Sequence, residues 1–145
     1  DILAEMANAG SVLDVAQSHG DFQAGNIFVT RERNDIILID WEHSAERSRE
    51  YDLLTEGLAS RSSRGIAHRI AVYISGGRLK SPADNLGLAK RRQAVALFLL
   101  EDLTFYLRES VSGPFSMISE GLSTYITELT GFGTRLQLLE SRGAR

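Results

Sequence analysis

The sequence predicts an α+β fold, mostly helical, with one short β-hairpin packed among helices. Two short runs rich in β-branched and aromatic residues, Asn26-Ile27-Phe28-Val29-Thr30 and Ile36-Ile37-Leu38-Ile39, flank a polar turn at residues 31–35. Beyond Trp41, apolar residues recur at helical spacing almost to the end of the chain. The 145 residues, 43% of them hydrophobic, suffice for one buried core, and no linker divides them. Residues 1–145 are therefore read as a single domain.

Each element has its own signal. Ile2, Leu3, Met6, Ala7, Val12, Leu13 and Val15 suggest an opening helix, interrupted near Gly10 and Ser11. His19-Gly20-Asp21 reads as a loop. The two apolar runs then form a hairpin expected to be buried on both sides, because two short strands do not stand alone in water. Tyr51, Leu53, Leu54 and Leu58 mark one helix, and Ile66, Ile70, Val72 and Ile74 a second, stopped by Gly76-Gly77. Residues 78–85, which include Pro82, are a loop. The strongest helix spans residues 86–109, where Leu88, Val95, Leu99, Asp102, Leu103, Tyr106 and Leu107 recur near helical spacing. Gly113-Pro114 ends it, and a last helix starts near Phe115 and frays near Gly143.

Composition excludes several classes of function. With no cysteine there is no disulfide scaffold, thiol nucleophile or cysteine zinc site. A net charge of −3 argues against a general nucleic-acid binder. The longest apolar run, Ala94 to Leu100, is far short of the roughly 20 residues that span a bilayer. No signal peptide is visible near Asp1, and the cysteine-free composition fits a cytoplasmic protein. The chain opens on Asp, already inside a helix-like pattern, which reads as a trimmed or incomplete sequence.

The chemistry concentrates between His19 and Glu42, HGDFQAGNIFVTRERNDIILIDWE. A loop presents Asp21, Asn26 opens the first strand, and Asp40 stands at the end of the second. A tight hairpin returns those ends to each other, so three oxygen-bearing side chains converge. Mg²⁺ prefers oxygen ligands, takes one or two carboxylates, and completes its shell with water and phosphate. Asn26 and Asp40 suit that task. Asp21 is then left to orient a substrate hydroxyl and accept its proton.

That division of labour is the kinase template. His19-Gly20-Asp21 with Asn26 and Ile39-Asp40-Trp41-Glu42, followed by Tyr51-Asp52-Leu53, resembles the aminoglycoside-phosphotransferase and choline-kinase family of protein-kinase-like fold. The resemblance runs from His19 to Leu53, about a quarter of the chain. It implies a C-terminal, catalytic lobe whose N-terminal nucleotide-binding lobe is absent from the chain. ATP and Mg²⁺ are the implied cofactors, and a small-molecule hydroxyl acceptor and the missing lobe the implied partners. Asp21 is the implied catalytic residue and Asn26 and Asp40 the metal ligands. His19 and Asp52 would brace the loop, and Phe28 and Ile39 would floor the nucleotide base. The chain departs from the family at Gln23-Ala24, where His-Pro is usual, and at residues 43–50, which lack the usual Gly-Asp-Pro. Nothing before His19 supplies a Gly-rich phosphate cover or a strand lysine, so the chain alone is expected to be inactive.

Two rivals remain at this stage, a pseudokinase-like binding module without chemistry and a helical interaction domain. Among the other polar residues, Glu46, Glu50, Glu56, Glu101, Asp102 and Glu109 read as solvated charges rather than a seat for a cationic acceptor. Arg91-Arg92 reads as a solvated helix face, and Trp41 as core packing with its N–H satisfied. His43 and His68 have no spacing partner and read as non-ligands.

Overall fold

The structure is a computed structural model that describes residues 13–79, 85–112 and 115–130. Among these the fold is α+β: two small antiparallel sheets lead into four α-helices. Strands β1 (Val15–Ser18) and β4 (Ala45–Ser48) form one sheet, and β2 (Ile27–Val29) and β3 (Ile36–Leu38) the other. Helices α1 (Tyr51–Gly57), α2 (Ile66–Ile74), α3 (Leu88–Ser112) and α4 (Phe115–Thr130) follow.

The hairpin forms where expected, with Ile27 opposite Leu38, Phe28 opposite Ile37 and Val29 opposite Ile36. Its turn is closed by Thr30, whose N–H donates to Asp35 O (2.9 Å) and whose carbonyl accepts from Asn34 N (3.0 Å). Asn34 takes a left-handed φ of 56°, a conformation asparagine tolerates better than most residues.

Three expectations are corrected here. Val15 belongs to a strand rather than a helix, because β1 pairs with β4 in the register Val15↔Ser48 to Ser18↔Ala45. The other residues of the expected opening helix, Leu13 apart, lie outside the described residues. The chain after Trp41 does not turn helical at once, since β4 intervenes; Glu101 fixes its end by accepting from Ser48 N (2.7 Å) and Ser48 Oγ (2.5 Å). Nor is the hairpin buried on both sides. Phe28 is 52% exposed, Val29 60% and Ile36 70%, and only Ile27 and Leu38, at its base, are half-buried.

The core lies instead among the helices. Tyr51, Leu54 and Leu58 at α1 meet Ile66, Ile70 and Tyr73 of α2, Val95, Phe98 and Tyr106 of α3, and Tyr125 of α4. Spacings of three and four residues in α1 and α2, and of three and eight in α3, put each of these sets on one helical face. A fully buried Leu, Ile or Phe contributes about 1.5–3 kcal/mol, so this cluster holds the helices together. Helix α2 stops where Gly76 takes a φ of +94°, with Gly77 N donating back to Val72 O (2.8 Å). Arg91 is not on a solvated face. It is 8% exposed, and its guanidinium donates to Leu86, Tyr73 and Gly77 carbonyls, joining α3 to the end of α2.

Candidate functional site

The site is built at the junction of the two sheets. β1 delivers Ser18 into the His19–Asp21 loop. A short 3₁₀ turn, Ala24–Asn26, then starts β2. Gly20 adopts a φ of +88°, and a Cβ there would collide with the His43 carbonyl, so the loop needs glycine at this point.

Asp52, in the first turn of α1, holds the loop backbone. Its carboxylate accepts from Ser18 Oγ (2.8 Å), His19 N (2.6 Å) and Gly20 N (3.1 Å). Tyr51-Asp52-Leu53 thus places a buried tyrosine in the core and a carboxylate under the loop with consecutive residues. His19 is 2% exposed and does no evident chemistry. Its Nε2–H donates to Ile39 O (2.6 Å), its Nδ1 accepts from Asp21 N (3.3 Å), and its ring lies 4.7 Å from that of Trp41. The imidazole therefore ties the loop to the end of the hairpin. Trp41 is a further correction: its N–H is satisfied by Leu38 O (3.0 Å), but the side chain is half-exposed rather than in the core.

Asp21 and Asn26 are in direct contact. Asn26 Nδ2 donates to Asp21 O (2.9 Å) and to Asp21 Oδ2 (3.0 Å). Both amide hydrogens are thereby used, and Asn26 Oδ1, the atom able to ligate a cation, accepts no hydrogen bond among the described residues. Gln23 Nε2 also donates to Asp21 Oδ2 (2.8 Å), so it supports the carboxylate. Ile39 N donates to Asn26 O (3.1 Å), which sets Asp40 one residue past the backbone of Asn26. Asp40 is exposed, with a left-handed φ of 61° and ψ of 55°. It makes no hydrogen bond or ion pair among the described residues. Aspartate, like asparagine, tolerates this conformation better than most residues. Among the described residues no three His, Cys, Asp or Glu side chains gather as a metal cluster. Mg²⁺ bound with phosphate and water takes only one or two carboxylates from a protein, so the absence of such a cluster among the described residues leaves Asp40 and Asn26 as a sufficient donor set.

Phe28 and Ile39 lie on the hairpin, 52% and 38% exposed. Phe28 faces Ile37 across the ladder, and the two-residue period puts Ile37 and Ile39 on the same side as Phe28. They form an open apolar ledge just beyond Asn26 and Asp40.

Arg61 is the residue that sequence reasoning missed. From the loop between α1 and α2, its Nε donates to Asp21 Oδ1 (2.6 Å) and its Nη1 to Asp102 Oδ1 (2.6 Å). In a run that also holds Arg64, no spacing or composition distinguishes it. Asp102 is a correction, since it is fully buried rather than a solvated charge, and also accepts from Tyr51 OH (3.0 Å). Burial raises the Tyr51 hydroxyl above its ordinary range, and the Asp102 charge raises it further. For Asp21, burial favours the neutral acid. The hydrogen bond and charge of Arg61, with hydrogen bonds from Gln23 and Asn26, outweigh it and hold the carboxyl below the usual range.

Of the other acids, Glu101 is bonded to Ser48 and Glu109 lies 3.5 Å from His43. With Glu42, Glu46, Arg47 and Arg108 they line an open cavity of about 610 Å³ between β4 and α3. No helix of the described residues is long and apolar enough to cross a membrane. No protein-family model, no curated protein and no solved structure matches this chain.

Proposed function

We propose that the chain is the catalytic lobe of an ATP-dependent phosphotransferase acting on a hydroxyl of a small molecule, of the aminoglycoside-phosphotransferase and choline-kinase type. The observation that carries this reading is the hydrogen-bonded pair Asp21–Asn26, with Asp40 set beside Asn26 by the Ile39–Asn26 backbone bond. Asp21 is ionised, fixed on both oxygens, and retains lone-pair capacity for one more donor, the acceptor hydroxyl. Asn26 through Oδ1 and Asp40 through its free carboxylate would hold Mg²⁺, which supplies charge neutralisation at the transferring phosphoryl group. The protein's own part is positioning and electrostatics.

The exposed ledge of Phe28, Ile37 and Ile39 supports the same reading, because an apolar surface next to the metal ligands suits a nucleotide base and the lobe that would cover it. The cavity beside Trp41–His43 carries both acids (Glu42, Glu46) and bases (Arg47, Arg108), so its charge selects no acceptor class.

A second reading has one specific observation in its favour. Asp21 Oδ1 is engaged by a guanidinium, which weakens a carboxylate as a base and suits a nucleotide-holding module without chemistry. The test is phosphoryl transfer from labelled ATP with Mg²⁺ to a panel of hydroxyl acceptors. It should be run on the 145-residue chain and on the full-length product of the gene that encodes it. Transfer by the full-length product and none by the chain is the expected result. Magnesium-dependent nucleotide binding without transfer selects the second reading. Absence of both overturns the phosphotransferase reading.

A further inference from the structure

Arg61 has no donor left for a ligand. A guanidinium carries five N–H groups. Nε–H goes to Asp21 Oδ1 (2.6 Å), Nη1 to Asp102 Oδ1 (2.6 Å) and Ser60 Oγ (3.2 Å), and Nη2 to Gly20 O (2.8 Å) and Tyr51 OH (3.3 Å). One face of the guanidinium lies 3.9 Å from the centre of the Phe105 ring, and the side chain is 14% exposed. An arginine that met phosphate would keep donors free and stand in the cleft. This one has every donor committed inside the protein, so its effect falls on what it holds.

It holds two different things. On one side are the Gly20 carbonyl and the Asp21 carboxylate, both in the candidate catalytic loop. On the other are Asp102 and Tyr51, each fully buried in the helical core. Asp52 already secures the loop through the His19 and Gly20 N–H groups, so the backbone has an anchor of its own. The Asp21 side chain has no equivalent. Gln23 and Asn26, which hold its other oxygen, are themselves part of the loop and its continuation into β2.

We infer that Arg61 is a positioning residue that fixes the Asp21 carboxylate in one orientation by locking it to the buried Asp102 frame. This rests on the reading of Asp21 as the residue facing the acceptor. Lysine cannot take over, because a compact ammonium has three donors and no planar fork with which to meet five acceptors on four segments of the chain.

The test uses Arg61→Lys and Arg61→Gln in the full-length protein, with two readouts. The first is independent of activity: side-chain scalar couplings of Asp21 report one rotamer in the wild type and averaged rotamers in both variants. The amides of His19 and Gly20, held by Asp52, should keep their hydrogen-exchange protection. The second is kinetic: kcat is expected to fall about a hundredfold, as for a misplaced reacting group, with KM for Mg-ATP within about threefold. Retention of a single Asp21 rotamer in Arg61→Lys overturns the inference. So does a loss of His19 and Gly20 protection equal to that elsewhere in the protein, or failure of both variants to fold, since either makes Arg61 a stability residue. If the wild type transfers no phosphoryl group, the phosphotransferase reading fails by itself, and the rotamer measurement still decides whether Arg61 positions Asp21.

Discussion

Replacing Asp21 by asparagine is expected to reduce turnover by about 10²–10⁴-fold, the usual share of a positioned general base, with the helical core intact. The substitution is nearly isosteric, but it removes the group that accepts the acceptor's proton. It also creates a conflict the native loop avoids. Asp21 Oδ2 accepts from Gln23 and Asn26, and Oδ1 accepts from Arg61. An amide NH₂ placed at either position faces a donor, so the side chain loses one of its fixed contacts as well as its charge. Initial rates at saturating Mg-ATP and acceptor, with circular dichroism as the check on folding, give the answer. Turnover above about a tenth of wild type in the folded variant contradicts general-base catalysis at this position.

Asp102→Ala is expected to cost about 3–5 kcal/mol of stability, as when one partner of a buried ion pair is removed. Asp102 is fully buried and meets both Arg61 Nη1 and Tyr51 OH, so the alanine strands a guanidinium and a hydroxyl in the core. The Phe105 face and the remaining acceptors of Arg61 soften the loss without replacing the charge. Asp102→Leu combined with Arg61→Met fills the space with apolar groups and is expected to recover much of the stability. That double variant nevertheless leaves Asp21 without its clamp, so it should fold and still turn over slowly. Urea denaturation of the four members of the cycle measures the coupling. Additive single losses contradict a direct Arg61–Asp102 link.

The pattern of what was legible follows from the range of the interactions. The hairpin and the three helices between Tyr51 and Ser112 announce themselves by local periodicity and form within a few residues of the expected bounds; the last helix starts at Phe115 as expected, and its expected end near Gly143 lies outside the described residues. β1 and β4 do not. Val-Ala-Gln-Ser and Ala-Glu-Arg-Ser carry no alternating apolar pattern, and each exists because the other pairs with it across some thirty residues of chain. The hairpin's burial was misjudged for a related reason. A continuous apolar run is compatible with two covered faces, but Phe28, Val29, Ile36 and Ile37 all stand open among the described residues.

Asp102 is more instructive. It occurs at helical spacing with Val95 and Tyr106, on the stripe that the structure buries, so its place was visible while its charge argued for solvent. A carboxylate is rarely buried without a partner, and that partner, Arg61, comes from a loop with no periodicity at all. Arg91 repeats the lesson, since its position four residues before Val95 puts it on the buried stripe. The contact of Asp21 with Asn26, and the place of Asp40 one residue past the Ile39–Asn26 backbone bond, follow from a hairpin closure that the two apolar runs announce.

Manganese offers the most direct test of the central claim that Asn26 and Asp40 hold one divalent ion beside Asp21. Mn²⁺ with ATP is titrated into the isotopically labelled full-length protein, and paramagnetic broadening is followed residue by residue. The expected result is selective loss of the Asn26 and Asp40 signals first and of Asp21 next, with the effect abolished in Asp40→Asn. Broadening centred on Glu42, Glu46 and Glu109, or spread evenly over the surface carboxylates, contradicts a metal site at the base of the hairpin.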